Sequence, residues 1–292
     1  MRRLVLFAIV GALVLSACRR SGDLSPENVL RRATQTSRQL QSVEYDADIE
    51  ATLPVGAGTV SGSAMLHGIL AHGGEQASFS ASVQGILEDG ADRWTITGDG
   101  DVMRDPEHMS FLLRTASTEP QTAAAQSLQA LLGSWWTIPI DGRSASLTPD
   151  PAFLRAQSAV VTVIDDRGLE DIGGRDAYHY IVSIDTDRLT GVMRDLAEER
   201  GEPFSMDETR RALEGYEARG ELWIDAVSFV IHRITWTVDA IDAPATHLAL
   251  RMDLRNHNAA DPIALSSQSR PLDPDTVRPL LLALSGALRF PF

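Results

Sequence analysis

The sequence has a single cysteine, Cys18, and no lysine. With one thiol no intramolecular disulfide can form, so the folded part must be held by its own core. All 26 basic side chains are arginine, set against 40 acidic ones, for a formal charge of −14. Scarce cationic surface argues against nucleic acid and against close docking on anionic lipid heads. Catalytic signatures are missing too. Of the 7 histidines none stands in a His-Glu-x-x-His pattern, and neither His67 with His72, nor His179, nor His247 with His257 has metal-ligand spacing. There is no Gly-x-Ser-x-Gly elbow, phosphate-binding loop or dinucleotide fingerprint. Asp165 and Asp166, close to Gly168, read as a solvated turn, because an acid–base pair needs a third partner and a cleft. His179 and His232 fall inside strands, where a hydrogen-bonded structural role is expected. These absences point to binding rather than catalysis, with no metal and no cofactor.

What is present begins with an export signal. Arg2 and Arg3 precede the apolar run Leu4 to Leu15, which is short for a membrane span and of the size of a signal-peptide core. Leu15, Ser16, Ala17 and Cys18 resemble the lipobox of bacterial lipoproteins. The resemblance implies a signal peptide at 1–17, cleavage before Cys18, diacylglycerol on its thiol and acylation of the new amino terminus. Two or more acyl chains anchor a protein firmly to a membrane, whereas one does not. Residues 18–24 then form a lipid-anchored tether, and the location is extracytoplasmic, in the cell envelope. About 275 residues follow the signal, enough for a sizeable core, and without Arg2 and Arg3 the formal charge becomes −16.

Ser25 and Pro26 open a helix whose Val29, Leu30, Ala33 and Leu40 share one side. From Val43 the period changes to two. Tyr45, Ala47, Ile49, Ala51 and Leu53 alternate with acidic residues and Thr52, and similar alternation through 60–70, 79–87, from Trp94, and over 107–115 predicts a meander of about five antiparallel strands. A turn is expected at Gly98 and Gly100. Helical patterns follow at 120–133 and near Phe153, with an extended Trp135–Trp136 pair between them. Strands are expected at 159–164 and 178–185, joined by a loop from Asp165 to Arg175. Two further helices cover 189–196 and 205–220, the second opened by the Ser205/Glu208 capping box. The stretch Glu221 to Ala240 reads as two strands about a turn at Asp225 to Ser228. In its second strand His232, Ile234, Trp236 and Val238 oppose Phe229, Ile231 and Arg233, so apolar residues lie on both faces. Leu248 to Leu254 make a last strand, and a short helix begins near Asp275.

This order gives an α+β protein: a curved antiparallel sheet with helices against one side, which leaves a natural pocket between the layers. Residues 25–260 form the domain and 261–292 a C-terminal extension. Leu40-Gln41-Ser42-Val43, the tryptophans before Thr137, Gly174 to Tyr180, and Gly220 to Asp225 followed by Ile231 to Ile234 carry a resemblance, over roughly 25–258, to the bacterial superfamily of LolA/LolB-like carriers and LppX/LprAFG-like lipoproteins. The resemblance implies that the sheet is an open or half barrel with the helices against its concave side around an apolar cavity. The extension and the 187–220 segment depart from the common form.

That resemblance implies a cavity for acyl chains of a lipid or lipoprotein, with a role in envelope transport or sensing. Its candidate lining is Leu53, Leu66, Phe79, Val83, Trp94, Trp136, Tyr180, Trp223 and Trp236, although core and cavity use the same side chains. The rival reading is a solid-core interaction or regulatory module, anchored through Cys18, that meets an envelope protein partner.

Overall fold

The computed structural model describes residues 24–55, 58–90, 92–121, 128–139, 157–201, 203–243, 246–264 and 269–272. The signal peptide, Cys18, residues 122–127 of the helical pattern at 120–133, the pattern near Phe153, and the helix near Asp275 lie outside the described residues; within 128–133 only Leu128 and Gln129 are helical, and Leu132 bridges to Leu113.

Among the described residues twelve strands form one sheet: β1 (Val43–Val55), β2 (Gly58–Ala71), β3 (Gln76–Asp89), β4 (Asp92–Arg104), β5 (His108–Glu119), β6 (Trp135–Pro139), β7 (Val161–Asp171), β8 (Asp176–Ile184), β9 (Tyr216–Asp225), β10 (Ile231–Ala240), β11 (His247–Arg255) and β12 (Arg270–Pro271). Their order is β12-β6-β5-β4-β3-β2-β1-β11-β10-β9-β8-β7. Neighbours are antiparallel except β12, which runs parallel to β6. The N-terminal meander thus joins the C-terminal strands through β1 and β11. The sheet is open, with β7 and β12 at its edges, and it is not strongly curled.

Among the described residues three helices accompany the sheet: α1 (Pro26–Arg38), α2 (Thr186–Arg200) and α3 (Met206–Glu214). Ser25 is the N-cap of α1, Pro26 stands in its first turn, and Val29, Leu30 and Ala33 are its buried face. Asp185 caps α2 by accepting the Arg188 N–H at 3.0 Å, and Gly201 ends it at φ 66°, which only glycine adopts without strain. Ser205 caps α3 from the expected position. The helices lie over the β7–β11 half. Val29, Leu30 and Ala33 join one core with Tyr180, Val182, Leu222, Ile224 and Ile234, and Arg188 donates to the Val161 carbonyl at 3.1 Å. Thr34 and Ser158 share a hydroxyl hydrogen bond of 2.9 Å, tying α1 to the 3-10 turn Gln157–Ala159.

Several expectations change. Gly98 and Gly100 make no turn; β4 runs through them, and a Cβ on Gly100 would lie 2.7 Å from the Leu112 carbonyl oxygen of β5. The close approach, not a reversal, calls for glycine there. Asp165 to Asp171 is strand rather than loop, because bulges at Val163/Asp165 and Asp166/Gly168 absorb the irregular pattern. The helix expected to run to Gly220 stops at Glu214, and Tyr216 already belongs to β9.

The two-faced appearance of the hairpin also resolves. A bulge between Ile231 and Arg233 changes the alternation, so Ile231 and Ile234 are both buried in the core, while Arg233 faces the other way.

Candidate ligand-binding face

Antiparallel partners directly opposite one another project to the same side, so the register sorts every strand residue onto one of two faces. One row joins Trp136, Phe111, Val102, Phe79, Gly68, Tyr45 and Leu254 across β6, β5, β4, β3, β2, β1 and β11. It belongs to the inner face, which carries the core. Gly68 is required here: a Cβ would stand 2.6 Å from Phe79 Cβ and 2.9 Å from Tyr45 Cζ. The two rings therefore cross a gap left in β2.

Further along the same face the side chains shrink. Ile49, Ala64, Val83, Gly98 and Ala116 make one row, and Ala51, Gly62, Gly85 and Ile96 the next. Leu53, Val60, Leu87 and Trp94 close the far end. The result is an apolar floor of small residues from which Val83, 45% exposed, and Ile96, 40% exposed, stand out. Leu248, opposite Ala51, is also exposed. They are among the large apolar side chains of the inner face that stay exposed; Leu169, opposite Tyr178, and Tyr216, opposite Ala240, are others, in the helix-covered half.

The opposite face is polar. His179, Trp223, Arg233, Asp253, Asp46 and His67 form a row across β8, β9, β10, β11, β1 and β2. His179 stacks on Trp223 with ring centres 4.2 Å apart, and its ring nitrogens lie 2.9 Å from Glu170 and 2.7 Å from Glu221. The Arg233 guanidinium sits over the other neighbour of that row, the Trp223 ring, at 5.5 Å. Burial pushes the Asp46 carboxyl upward, yet hydrogen bonds from His67 and Arg255 more than offset it and hold Asp46 below the usual carboxylate range.

At the β9–β10 turn Asp225 is also buried. Desolvation acts upward on it, but the backbone and hydroxyl of Ser228, the Val227 N–H and His232 bring it down to about 2. His232 and His179 thus have the structural hydrogen bonds expected of strand histidines. Burial lowers the pKa of His257, whose Nε2 lies 2.8 Å from the Ile231 carbonyl oxygen. Among the described residues no group of three or more His, Cys, Asp or Glu could hold a metal ion.

Of the nine residues expected to line a cavity, Trp223 is on the polar face, where its Nε1 donates to Glu170 at 3.0 Å. Its place in a sequence of alternating apolar residues does not reveal that a histidine and an arginine cover it. Phe79, Tyr180 and Trp236 are on the inner face but buried, at 7%, 0% and 6% exposure. Leu66 is partly buried against the core. Leu53, Trp94 and Trp136 are half-buried, with Trp136 Nε1 donating to the Leu131 carbonyl at 2.9 Å. Val83 is open. Sequence reasoning passed over Ile49, Ile96 and Leu248, although each continues an alternation already recognised beside Tyr45, Trp94 and Leu250.

The expected tail-sized cavity is not found among the described residues. A groove between α1 and the sheet, lined by Leu40, Val43, Ile231, Leu254 and His257, has a volume of about 30 Å³. That is room for a water or two. Small residues on the sheet produce an open floor instead of an enclosed space.

No family model matches the chain, and no curated protein matches it. Among solved structures it is similar to lipoprotein LppX of Mycobacterium tuberculosis, with 12% identity over 84% of this chain and 100% of that one, at a TM-score of 0.38. LprF of Mycobacterium bovis gives 13% identity over 84% and 97%, at 0.42. A LolA superfamily protein of Nitrosomonas europaea gives 9% over 82% and 96%, at 0.24.

Proposed function

We propose that this chain is a lipid-anchored protein of the cell envelope that receives acyl chains of a lipid or lipoprotein on the inner face of β1–β6 and performs no chemistry on them. The observation that carries this reading is the apolar floor of Ala and Gly with Val83 and Ile96 exposed upon it. Such a face is costly in water and contributes binding free energy once covered. Each methylene removed from water contributes about 0.8 kcal/mol, so eight of them would supply roughly 6 kcal/mol before ordering costs. The resemblance of Leu15 to Cys18 to a lipobox supports anchoring, and the net negative charge supports contact with tails rather than anionic heads. Leu53, Leu66, Val83, Trp94 and Trp136 remain the contact residues of this reading; Phe79, Tyr180 and Trp236 serve it from beneath, as core.

Native mass spectrometry of the chain from residue 19 onward, purified from a bacterial host, tests the proposal. Near-stoichiometric copurified lipid, extractable into organic solvent, is the expected result. A protein that arrives empty and takes up no fluorescent fatty acid would overturn it. That outcome would favour the second reading, a solid-core interaction module, for which the tightly filled helix-covered half around Tyr180, Leu222 and Ile234 speaks directly.

A further inference from the structure

The inner face of β1–β5 is uncharged from one end to the other, with one exception. Its rows run from that of Leu70, Ala77 and Arg104 to that of Leu53, Val60, Leu87 and Trp94. Among the described residues of these rows Arg104 is the only one whose side chain carries charge. A guanidinium set into an apolar face is costly unless an anion meets it. Arg104 interacts within the chain, and its five N–H donors allow it to serve a chain partner and a ligand head together.

Arg104 ends a track along β4. The inner residues of that strand are Trp94, Ile96, Gly98, Gly100, Val102 and Arg104, and all of them are half-buried or exposed. At Gly98 and Gly100 the track has no side chains, while Val83 of β3 and Leu113 of β5 stand on either side. The flanking backbones lie about 10 Å apart, which leaves the width of one extended hydrocarbon chain between their side chains. Along the strand Gly98 is about 20 Å from Arg104 and Trp94 about 33 Å. The far end is unsuited to an anion. Asp92 continues the inner side beyond Trp94, and Arg93, on the other face, is paired with Glu88 at 3.5 Å.

We propose that the inner face takes a single-tailed amphiphile lengthwise along β4, with its anionic head, a carboxylate or a phosphate, on the Arg104 guanidinium and its tail over Gly100, Gly98 and Ile96. This deepens the acyl-chain reading given above and rests on it. A guanidinium meets either head through paired, charge-assisted hydrogen bonds. The acidic exterior repels a surface of anionic heads, whereas one cation in an apolar face serves one head at a time.

Equilibrium dialysis of the chain from residue 19 onward, which keeps every described residue, tests this with palmitate, hexadecyl phosphate and hexadecanol, each below its self-association limit at neutral pH. The three probes share a tail and differ in the head. The parent should bind the two anionic probes at least tenfold more tightly than hexadecanol. Arg104→Gln should bring them to the level of hexadecanol while hexadecanol itself binds as before, and Arg104→Lys should keep part of the preference. A difference between palmitate and hexadecyl phosphate that vanishes in Arg104→Gln supports the proposal and names the head. Arg93→Gln should bind like the parent; loss of the preference there would overturn the orientation. Anionic probes bound by the parent no more tightly than hexadecanol, or undiminished in Arg104→Gln, would overturn the head site and leave the acyl-chain reading standing. A parent that binds none of the three would overturn both. Should Arg104→Gln fail to fold, the three probes on the parent and on Arg104→Lys decide the matter.

Discussion

Trp236 donates its indole N–H to Gln157 Oε1 at 2.8 Å, and both side chains are buried. The bond joins the middle of β10 to the 3-10 turn that supports α1, so it connects the sheet to its helical cover. Gln157→Leu leaves the Trp236 N–H without a partner and should cost about 1–3 kcal/mol in chemical denaturation. An unchanged midpoint would show that the bond carries no stability. Trp236→Asp is a test of folding rather than of ligand binding: a carboxylate at this core position should abolish the cooperative transition.

Gly220 lies beneath the same ring. A Cβ at 220 would meet the Thr235 carbonyl oxygen at 2.6 Å and Trp236 Cε3 at 2.7 Å, and strand backbone cannot withdraw as a flexible side chain can. Gly220→Ala should therefore destabilise by about 1–3 kcal/mol through overpacking. Thermal unfolding checks this, and a stabilised variant would contradict the close approach.

Tyr45 and Tyr180 place their hydroxyl oxygens in the core without a hydrogen-bond partner among the described residues. Burial drives both phenols upward, away from ionisation. Tyr45→Phe and Tyr180→Phe remove an unpaired polar atom and keep the ring, so each should be neutral or stabilising by up to about 1 kcal/mol. A loss above that size in urea unfolding would mean that the hydroxyl is satisfied in solution.

Asp225 has a folded-state pKa of about 2, lowered from 3.8. A carboxylate depressed on folding stabilises above its unfolded pKa, and the contribution disappears as pH falls through the folded value. Asp225→Asn should thus cost about 2 kcal/mol at neutral pH, with the gap to the parent narrowing between pH 4 and pH 2. A gap that persists at pH 2 would assign the cost to packing rather than charge.

Val83→Asp and Ile96→Asp put charge on the open floor at exposed positions, so stability should change by less than about 1 kcal/mol while retained lipid is lost. Trp223→Phe, on the opposite face, should leave lipid unchanged. Equal retention by the two floor variants and the parent, measured by mass spectrometry of the extract, would remove this face from the proposed function.

Much of the architecture is legible in the alternation of residues. Tyr45 to Leu53 and Tyr178 to Ile184 show their buried faces because a pleated strand has a period of two, and Pro26 and Ser205 mark helix starts because the orphan N–H groups there select such residues. What local pattern cannot carry is the partner across the sheet. Trp223 and Trp236 are equally apolar in sequence; register set Trp223 against His179 and Arg233 and Trp236 against the core, and the bulge at Ile231/Arg233 decided which side each neighbour faces. Gly98 and Gly100 look like a turn until β5 is seen pressing on β4. The small residues of β2–β4 were compatible with a cavity or with close packing, and only the tertiary arrangement, with the described helices gathered over β7–β11, made them an open apolar floor. The sequence alone determined the periodicities, the charge balance and the single thiol, because these are properties of residues in order; which apolar face is core and which is open was decided by long-range pairing, because burial depends on what the rest of the chain brings to cover it.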